Sequence, residues 1–441
     1  MAKSHLLVLG LILTGSSVFA ACSSDITING SGGAGEAGAS DAGAGNTAGG
    51  TSVGQGGEAG SATPSEGGEG GEGGAPVIVP TGPLDPQTVV VPAVSTAKLN
   101  HLLVGGTDFM KTEVVSVALA DGAVAKGNTY DDGDVIAVSS AGVGFVLERT
   151  NDKLHIIENG KSTTEVDLSA PGTATAAIDN KAYVPFLNTS AIAIVDLGDG
   201  TVSRRIDLSA YDVAGDGDGS VDVSAGIYDP TAEIAYFVLG RIDRKTIVAP
   251  DYRLACSKSP GLIVGIDVKT DAIVDLNGAL PGKAVELQLA NQTSLSINAD
   301  GSALYVLNAG CYSANKLTGQ GLEVVDTTDG TTTVAYAPTG TDFLSSLILT
   351  KGSEALLESF DSTGTKHWNT LDIAAGKLVG AELKGVPDAV TYDGTSLLGV
   401  SVAGNVGAVV RYAIATGTST QISETSWAGE YSSASSTALV E

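Results

Sequence analysis

Beyond residue 98 the chain is a succession of short apolar runs, rich in Val, Ile, Leu and Ala, each broken by a Gly- or Asp-containing turn. The stretch "AAIDNKAYVPFLNTSAIAIVDLGDGTVSRRIDL" (176–208) shows the plan: strand, turn, strand with a central Tyr, loop, strand ending in "IVD", turn, strand. Runs of this length bounded by Gly, Asp and Asn predict β-strands, and no amphipathic helix of useful length is visible. The plan returns in "LSINADGSALYVLNAGCYSANKLTGQGLEVVDTTDGTTTVAYAP" (295–338) and in "GIYDPTAEIAYFVLGRIDRK" (226–245) with "GLIVGIDVKTDAIVDL" (261–276). It is fainter in "GVGFVLERTNDKLHIIENGKSTTEVDL" (142–168).

Four antiparallel strands repeating every roughly 40 to 50 residues predict an all-β fold, a β-propeller, over 88–441. Units begin near residues 98, 135, 173, 221, 286, 341 and 389, which gives seven four-stranded blades of about 48 residues each. The first, sixth and seventh are the weakest copies. Six or eight blades, or a pair of β-sandwiches, are the alternatives. Either "TVVVPAVST" (88–96) or the tail after Trp427 is expected to complete the last blade, which would close the ring and remove an open edge. In "ADGSALYVLNAG" (299–310) and "AIAIVDLGDGTV" (191–202) the chain resembles bacterial surface propellers of the YVTN type.

The amino-terminal segments follow other rules. In residues 1–21, Lys3 and His5 frame the start of an apolar run from Leu6 to Leu13, and small residues lead into "SVFAAC", which ends at Cys22. That order predicts an export signal, and the stretch resembles a bacterial lipobox. The resemblance implies cleavage before Cys22 and acyl chains on its sulfur and new amine, so the membrane is met through lipid alone. Ser23 resembles the outer-membrane sorting pattern, which implies the cell envelope, at the outer membrane or cell surface in a Gram-negative host. An ordinary secretory signal with an incidental cysteine is the alternative. No later stretch reaches the span of about 20 apolar residues that crosses a bilayer. Residues 22–80 are Gly, Ala, Ser, Thr and Glu with too few large apolar side chains to offset ordering, and predict a disordered tether. A Gly-rich coil of about 55 residues spans roughly 40 Å. Its "GAGEAG" (33–38) and "GEGGEG" (68–73) match the dinucleotide fingerprint in letters only, since neither follows a strand or opens a helix.

Strand order places the loops. In a four-stranded blade the connection between the second and third strands emerges on the same face as the link to the next blade. That face should therefore carry "YDDGD" (130–134), "GDGDGSVD" (215–222), the loop "RIDRKTIVAPDYRLACSKSPG" (241–261) and the loop "GCYSANKLTGQG" (310–321). Cys256 and Cys311 lie in equivalent connections of neighbouring blades and, with Cys22 lipidated, form an even pair in an exported chain. A Cys256–Cys311 disulfide is expected; two reduced thiols, or a zinc pair short of other ligands, are the alternatives. Arg241, Arg244, Lys245, Arg253 and Lys258 gather in one loop of a chain whose formal charge is −27. With Tyr252 and Tyr312 they make a candidate binding face, unless acidic and basic loops simply order each other by salt bridges.

The three aspartates Asp216, Asp218 and Asp222 raise the question of calcium. An EF-hand loop needs oxygen ligands at positions 1, 3 and 5, Gly at 6 and Glu at 12. Counting from Asp216 puts Val221 at the sixth position and Ile227 at the twelfth; counting from Asp212 puts Ala214 at the third. Only an irregular oxygen shell on Asp216, Asp218 and Asp222 stays open, and no other cofactor is expected. Catalytic signals are poor. His101, His155 and His367 have no metal-spaced partners, and alternation can leave His101 and His155 on outward blade surfaces; there is no HExxH, GxSxG or P-loop. Strong acidity argues against nucleic acid. Two functions follow: a non-enzymatic binding or scaffold module with a protein or glycan partner, or an extracellular hydrolase or lyase working in the central channel with groups such as Asp218 and Arg241 at its mouth.

Overall fold

The structure is a computed structural model that describes Val89 and residues 99–440, apart from 141, 159, 169–179, 187–188, 213–218, 249–252, 256–258, 278–282, 314–315, 341, 352, 404–405 and 427–432. The expected signal segment and tether lie outside these residues. So does "TVVVPAVST" apart from Val89, which is buried in a core cluster.

Seven sheets, antiparallel but for one strand pair, follow one another along the described chain. The first holds β1 (His101–Thr107), β2 (Thr112–Ala118) and β3 (Val124–Tyr130), and the second β4 (Val135–Ser140), β5 (Val143–Glu148), β6 (Lys153–Glu158) and β7 (Lys161–Asp167). Blade three shows β8 (Lys181–Pro185), β9 (Ala191–Asp196) and β10 (Thr201–Asp207). Blade four is β11 (Val223–Asp229), β12 (Ile234–Leu239), β15 (Leu262–Asp267) and β16 (Ala272–Val274), with β17 (Val285–Glu286) also on β15. Between β12 and β15 the chain makes a hairpin of β13 (Asp243–Val248) and β14 (Arg253–Ala255). Blade five is β18 (Gln292–Ile297), β19 (Ala303–Ser313), β20 (Lys316–Asp326) and β21 (Thr332–Tyr336). Blade six runs through β22 (Phe343–Leu349), β23 (Glu354–Phe360), β24 (Lys366–Asp372) and β25 (Lys377–Leu383). Blade seven is β26 (Asp388–Tyr392), β27 (Leu397–Ala403), β28 (Val406–Ala413) and β29 (Thr418–Ser426). The first, sixth and seventh units, the weakest repeats in sequence, are complete four-stranded blades.

The missing strand of blade one comes from the other end of the chain. β30 (Ser433–Val440) pairs antiparallel with β1 from His101↔Val440 to Thr107↔Ser433. The tail after Trp427 thus completes the first blade and not the last, a correction to the expectation. Blade seven already has four strands of its own, whereas β1 enters its sheet as a second strand and leaves an inner edge to fill. One ladder holds both ends of the domain and removes the edge.

The core lies between blades. Seven apolar clusters occupy the seven gaps: Leu103, Val114, Val146 and Ile157 between blades one and two, for example, and Leu102, Val115, Leu398 and Val400 between one and seven. Middle strands are therefore covered on both sides, as in β5, where Gly144 to Glu148 are all buried, while the outer strand β7 alternates exposed and half-buried residues. First strands face the axis and touch around it: β30 lies against β4 and β26, and β18 against β11 and β22.

Candidate binding face

Two kinds of end result from this strand order. At one, first-to-second and third-to-fourth strands join by short turns. At the other, the loop face, second-to-third turns meet the links between blades, and side chains tie them together. The Arg149 guanidinium, buried in the β5–β6 turn, bonds Asp134 of the link at 2.6 Å. Thr107 Oγ1 reaches the Gly133 carbonyl at 3.3 Å, and Gln320 Nε2 donates to the Gly340 carbonyl at 3.0 Å. The placement expected for "YDDGD" and the last residues of "GDGDGSVD" is thereby observed.

"YDDGD" is used inward. Asp132 is 4% exposed and accepts the amides of Asp134 at 2.7 Å and Thr150 at 3.1 Å. Burial pushes the Asp134 carboxyl up, opposed by the adjacent Arg149 charge. Only Asp131 faces solvent, paired with Lys111 at 2.6 Å. Asp222 is likewise buried, with a left-handed φ of 49°. Its carboxylate accepts the Ile242 amide at 2.8 Å and its carbonyl accepts the Gly240 amide at 2.8 Å, so it anchors the root of the basic loop. Asp216 and Asp218 lie outside the described residues, and among those described no group of three or more His, Cys, Asp or Glu side chains forms a metal cluster.

The basic loop is built into a sheet. β19 and β20 are each 11 residues long and stay paired out to Ser313↔Lys316, beyond the blade proper. β14 joins this extension in parallel through Ala255↔Tyr312. The run β13-β14-β19-β20 is therefore one sheet spanning insertions of blades four and five. It carries Arg244 and Lys245 on β13, Arg253 opposite Val248 on β14, and Tyr312 on β19. Arg241 stands at its root with φ 51° and donates to the Pro260 carbonyl at 3.1 Å. Tyr252, Lys258 and Cys256 lie outside the described residues. Cys311 is 4% exposed and precedes Tyr312, the partner of the residue before Cys256.

The channel wall has a different chemistry. Among the described first strands β4, β11, β18, β22, β26 and β30, the only charged residues are Asp229 and Asp388, one at a strand end and one at a strand start. Asp229 accepts the Thr231 amide at 2.7 Å and Asp388 pairs with Lys366. The rest is Ser, Thr, Ala, Gly and apolar side chains, with Gln292, Tyr228 and Tyr392. Of the histidines, His155 is not on an outward surface: it is 5% exposed in the seam with blade one. Its Nε2 meets Glu148 at 2.5 Å, its Nδ1 meets Ser162 at 3.2 Å, and the Tyr130 ring lies 5.0 Å away. Desolvation pushes the Tyr130 hydroxyl up to about 12. His367 is held between Glu382 at 2.9 Å and Asp361 at 3.4 Å, and its pKa is raised chiefly by the Glu382 bond.

With this geometry in view, the chain can be compared with known proteins. No protein-family model matches the chain, and no curated protein does. Solved propellers are similar in shape. A candidate 6-phosphogluconolactonase from Bacteroides fragilis is 13% identical over 79% of this chain and 99% of its own, with a TM-score of 0.47. The Cps50 (Swd1) propeller domain of Myceliophteria thermophila is 13% identical over 80% and 99%, with a TM-score of 0.45. These comparisons show no family for the chain.

Sequence reasoning placed these loops on one face but not the contacts that hold them together. Arg149 carries no motif, and its pairing with Asp134 depends on blade packing. The Phe109–Met110 turn carries no motif either; two large apolar residues between Asp108 and Lys111 are its one signal in the sequence.

Proposed function

We propose that the chain is an exported, lipid-anchored propeller of the YVTN type that works as a binding or scaffold module at the cell envelope. The observation that carries this reading is the joined sheet β13-β14-β19-β20. Two insertions from neighbouring blades build one ordered platform on the loop face, whereas the tight-turn face carries nothing comparable among the described residues. Residues 241–258 hold five cations against Asp243 and Asp251 in a chain of charge −27, a local excess of positive charge that favours an acidic partner group. The weakly charged channel wall supports recognition over acid-base chemistry at the axis. A Cys256–Cys311 disulfide fits the platform, since the residues flanking the two cysteines pair directly.

Cross-linking from intact cells tests the face. A full-length chain whose residues 243–258 are replaced by a Gly-Ser linker is expected to lose the species that the natural chain captures; an unchanged capture pattern overturns the reading. Labelling with an alkynyl fatty acid tests the anchor, and labelling that persists in Cys22→Ser removes it.

A further inference from the structure

We infer that Phe109 and Met110, at the tip of the β1–β2 turn, are the apolar anchor by which the loop face holds a protein partner. This rests on the loop-face reading above and narrows its partner to a protein.

These two are the most exposed large hydrophobic residues described, at 62% and 75%, and they are adjacent in sequence. Isolated exposed apolar side chains are ordinary; a pair held rigidly toward solvent is not. The turn is fixed from below. Thr107 Oγ1 accepts the Phe109 amide at 3.0 Å, and Asp108 Oδ1 accepts the amides of Met110 at 2.8 Å and Lys111 at 2.6 Å. These bonds hold the Asp108 carboxyl below its ordinary value. Phe109 has φ 68°, a conformation unfavourable for a bulky residue and tolerated only where the surroundings impose it. The link "YDDGD" supplies those surroundings. A Cβ on Gly133 would lie 2.1 Å from the Phe109 carbonyl oxygen, so only Gly lets the turn seat there. Asp131 pins Lys111, and Thr107 reaches the Gly133 carbonyl. A strained turn aimed at water is ordered before binding, which lowers the entropic cost of using it.

The occupant follows from composition and spread. Phe and Met at the tip share the loop face with Arg241 and with the strands β13, β14 and β19, whose sequence includes Arg244, Arg253 and Tyr312, and aromatic residues, Met and Arg are the types enriched at the centres of protein–protein interfaces. The turn belongs to blade one and the platform to blades four and five, on the far side of a seven-membered ring. A partner that meets both must cover the mouth, which suits a folded protein with an apolar pocket and an acidic patch better than a short glycan.

The test uses the full chain in intact cells, with p-benzoylphenylalanine at one position at a time: Met110, Lys245 on the platform, and exposed Leu378 (44%) on an outer strand as control. Irradiation is expected to capture the same protein from positions 110 and 245 and none from 378, and Phe109→Ser is expected to lower the yield from 110 about tenfold. Capture from 245 without capture from 110, or only lipid or glycan adducts at 110, overturns the anchor and leaves the face intact. No capture from either position overturns both.

Discussion

Asp329 and Asp134 are both turn aspartates, one at each end of the propeller, and they are used in opposite ways. Asp329 sits in the tight turn "DTTDGT" (326–331), where the Thr331 amide at 2.9 Å holds its carboxyl below the ordinary value of 3.8. Asp134 sits in a link on the loop face, where burial pushes its carboxyl up and the Arg149 charge opposes the shift. Tight-turn aspartates are short-range caps. Asp196 and Asp326 accept the amide two residues on, each at 2.7 Å, and Gly200 and Gly330 then take φ 70°. In blade four the left-handed position is Asp271, with φ 55°. Its carboxylate crosses to blade three, where Lys181 at 2.5 Å and the Tyr183 hydroxyl bond it. Much of the chain's acidity is thus turn architecture, and the carboxylates that reach beyond their own turn, Asp134 on the loop face and Asp271 at the other end, do so through a buried cation.

The largest expected effect bears on the ring that carries both ends. Removing residues 433–441 takes away β30, and the domain should lose its cooperative urea transition; a transition of unchanged midpoint would show that the ring closes elsewhere. On the loop face, Arg149→Met strands Asp134, and a loss of about 3 kcal/mol is expected by urea unfolding, as for other broken buried pairs. On the opposite end, Asp271→Gly relieves the backbone but leaves Lys181, 1% exposed, without this partner. A net loss of about 2 kcal/mol is expected, and a gain would mean that the bond between blades matters less than the strain.

Smaller effects sharpen the contrast. Gly330→Ala forces a Cβ into the left-handed region 2.9 Å from the Leu276 carbonyl oxygen, for a loss of about 1 to 2 kcal/mol. The mildest test is pH. For Asp300, Asp329 and Asp361, whose folded values lie below 3.8, the stabilisation is complete above about 4 and is lost as pH falls through the folded values. Asp134 and Glu323 have folded values raised by burial, so they act in the opposite direction, their penalty shrinking as pH falls. Asp329→Asn should flatten the acid limb of a melting-temperature profile and Asp134→Asn should not.

Much of the fold was legible because each blade is a local object. Apolar runs, Asp-Gly turns and the period between them are set by residues within one unit, and six of the seven predicted starts fall close to the blades observed, the one near 173 lying outside the described residues. Local pattern also placed the loops, since strand order decides which turns share a face. Ring closure was legible only as a choice of two segments, because an inner strand such as "SASSTALV" (433–440) has no period partner at its own end of the chain.

The sequence by itself determined the strand content, the blade period, the turn chemistry and the gathering of cations in one loop, all of which depend on neighbours along the chain. Only the tertiary structure decided that the tail completes blade one, that two insertions join at Ala255↔Tyr312, and that Gly133 seats the turn bearing Phe109 and Met110. Each of these is a contact between segments far apart in sequence, and its geometry is set by how blades pack around the axis, which no local preference encodes.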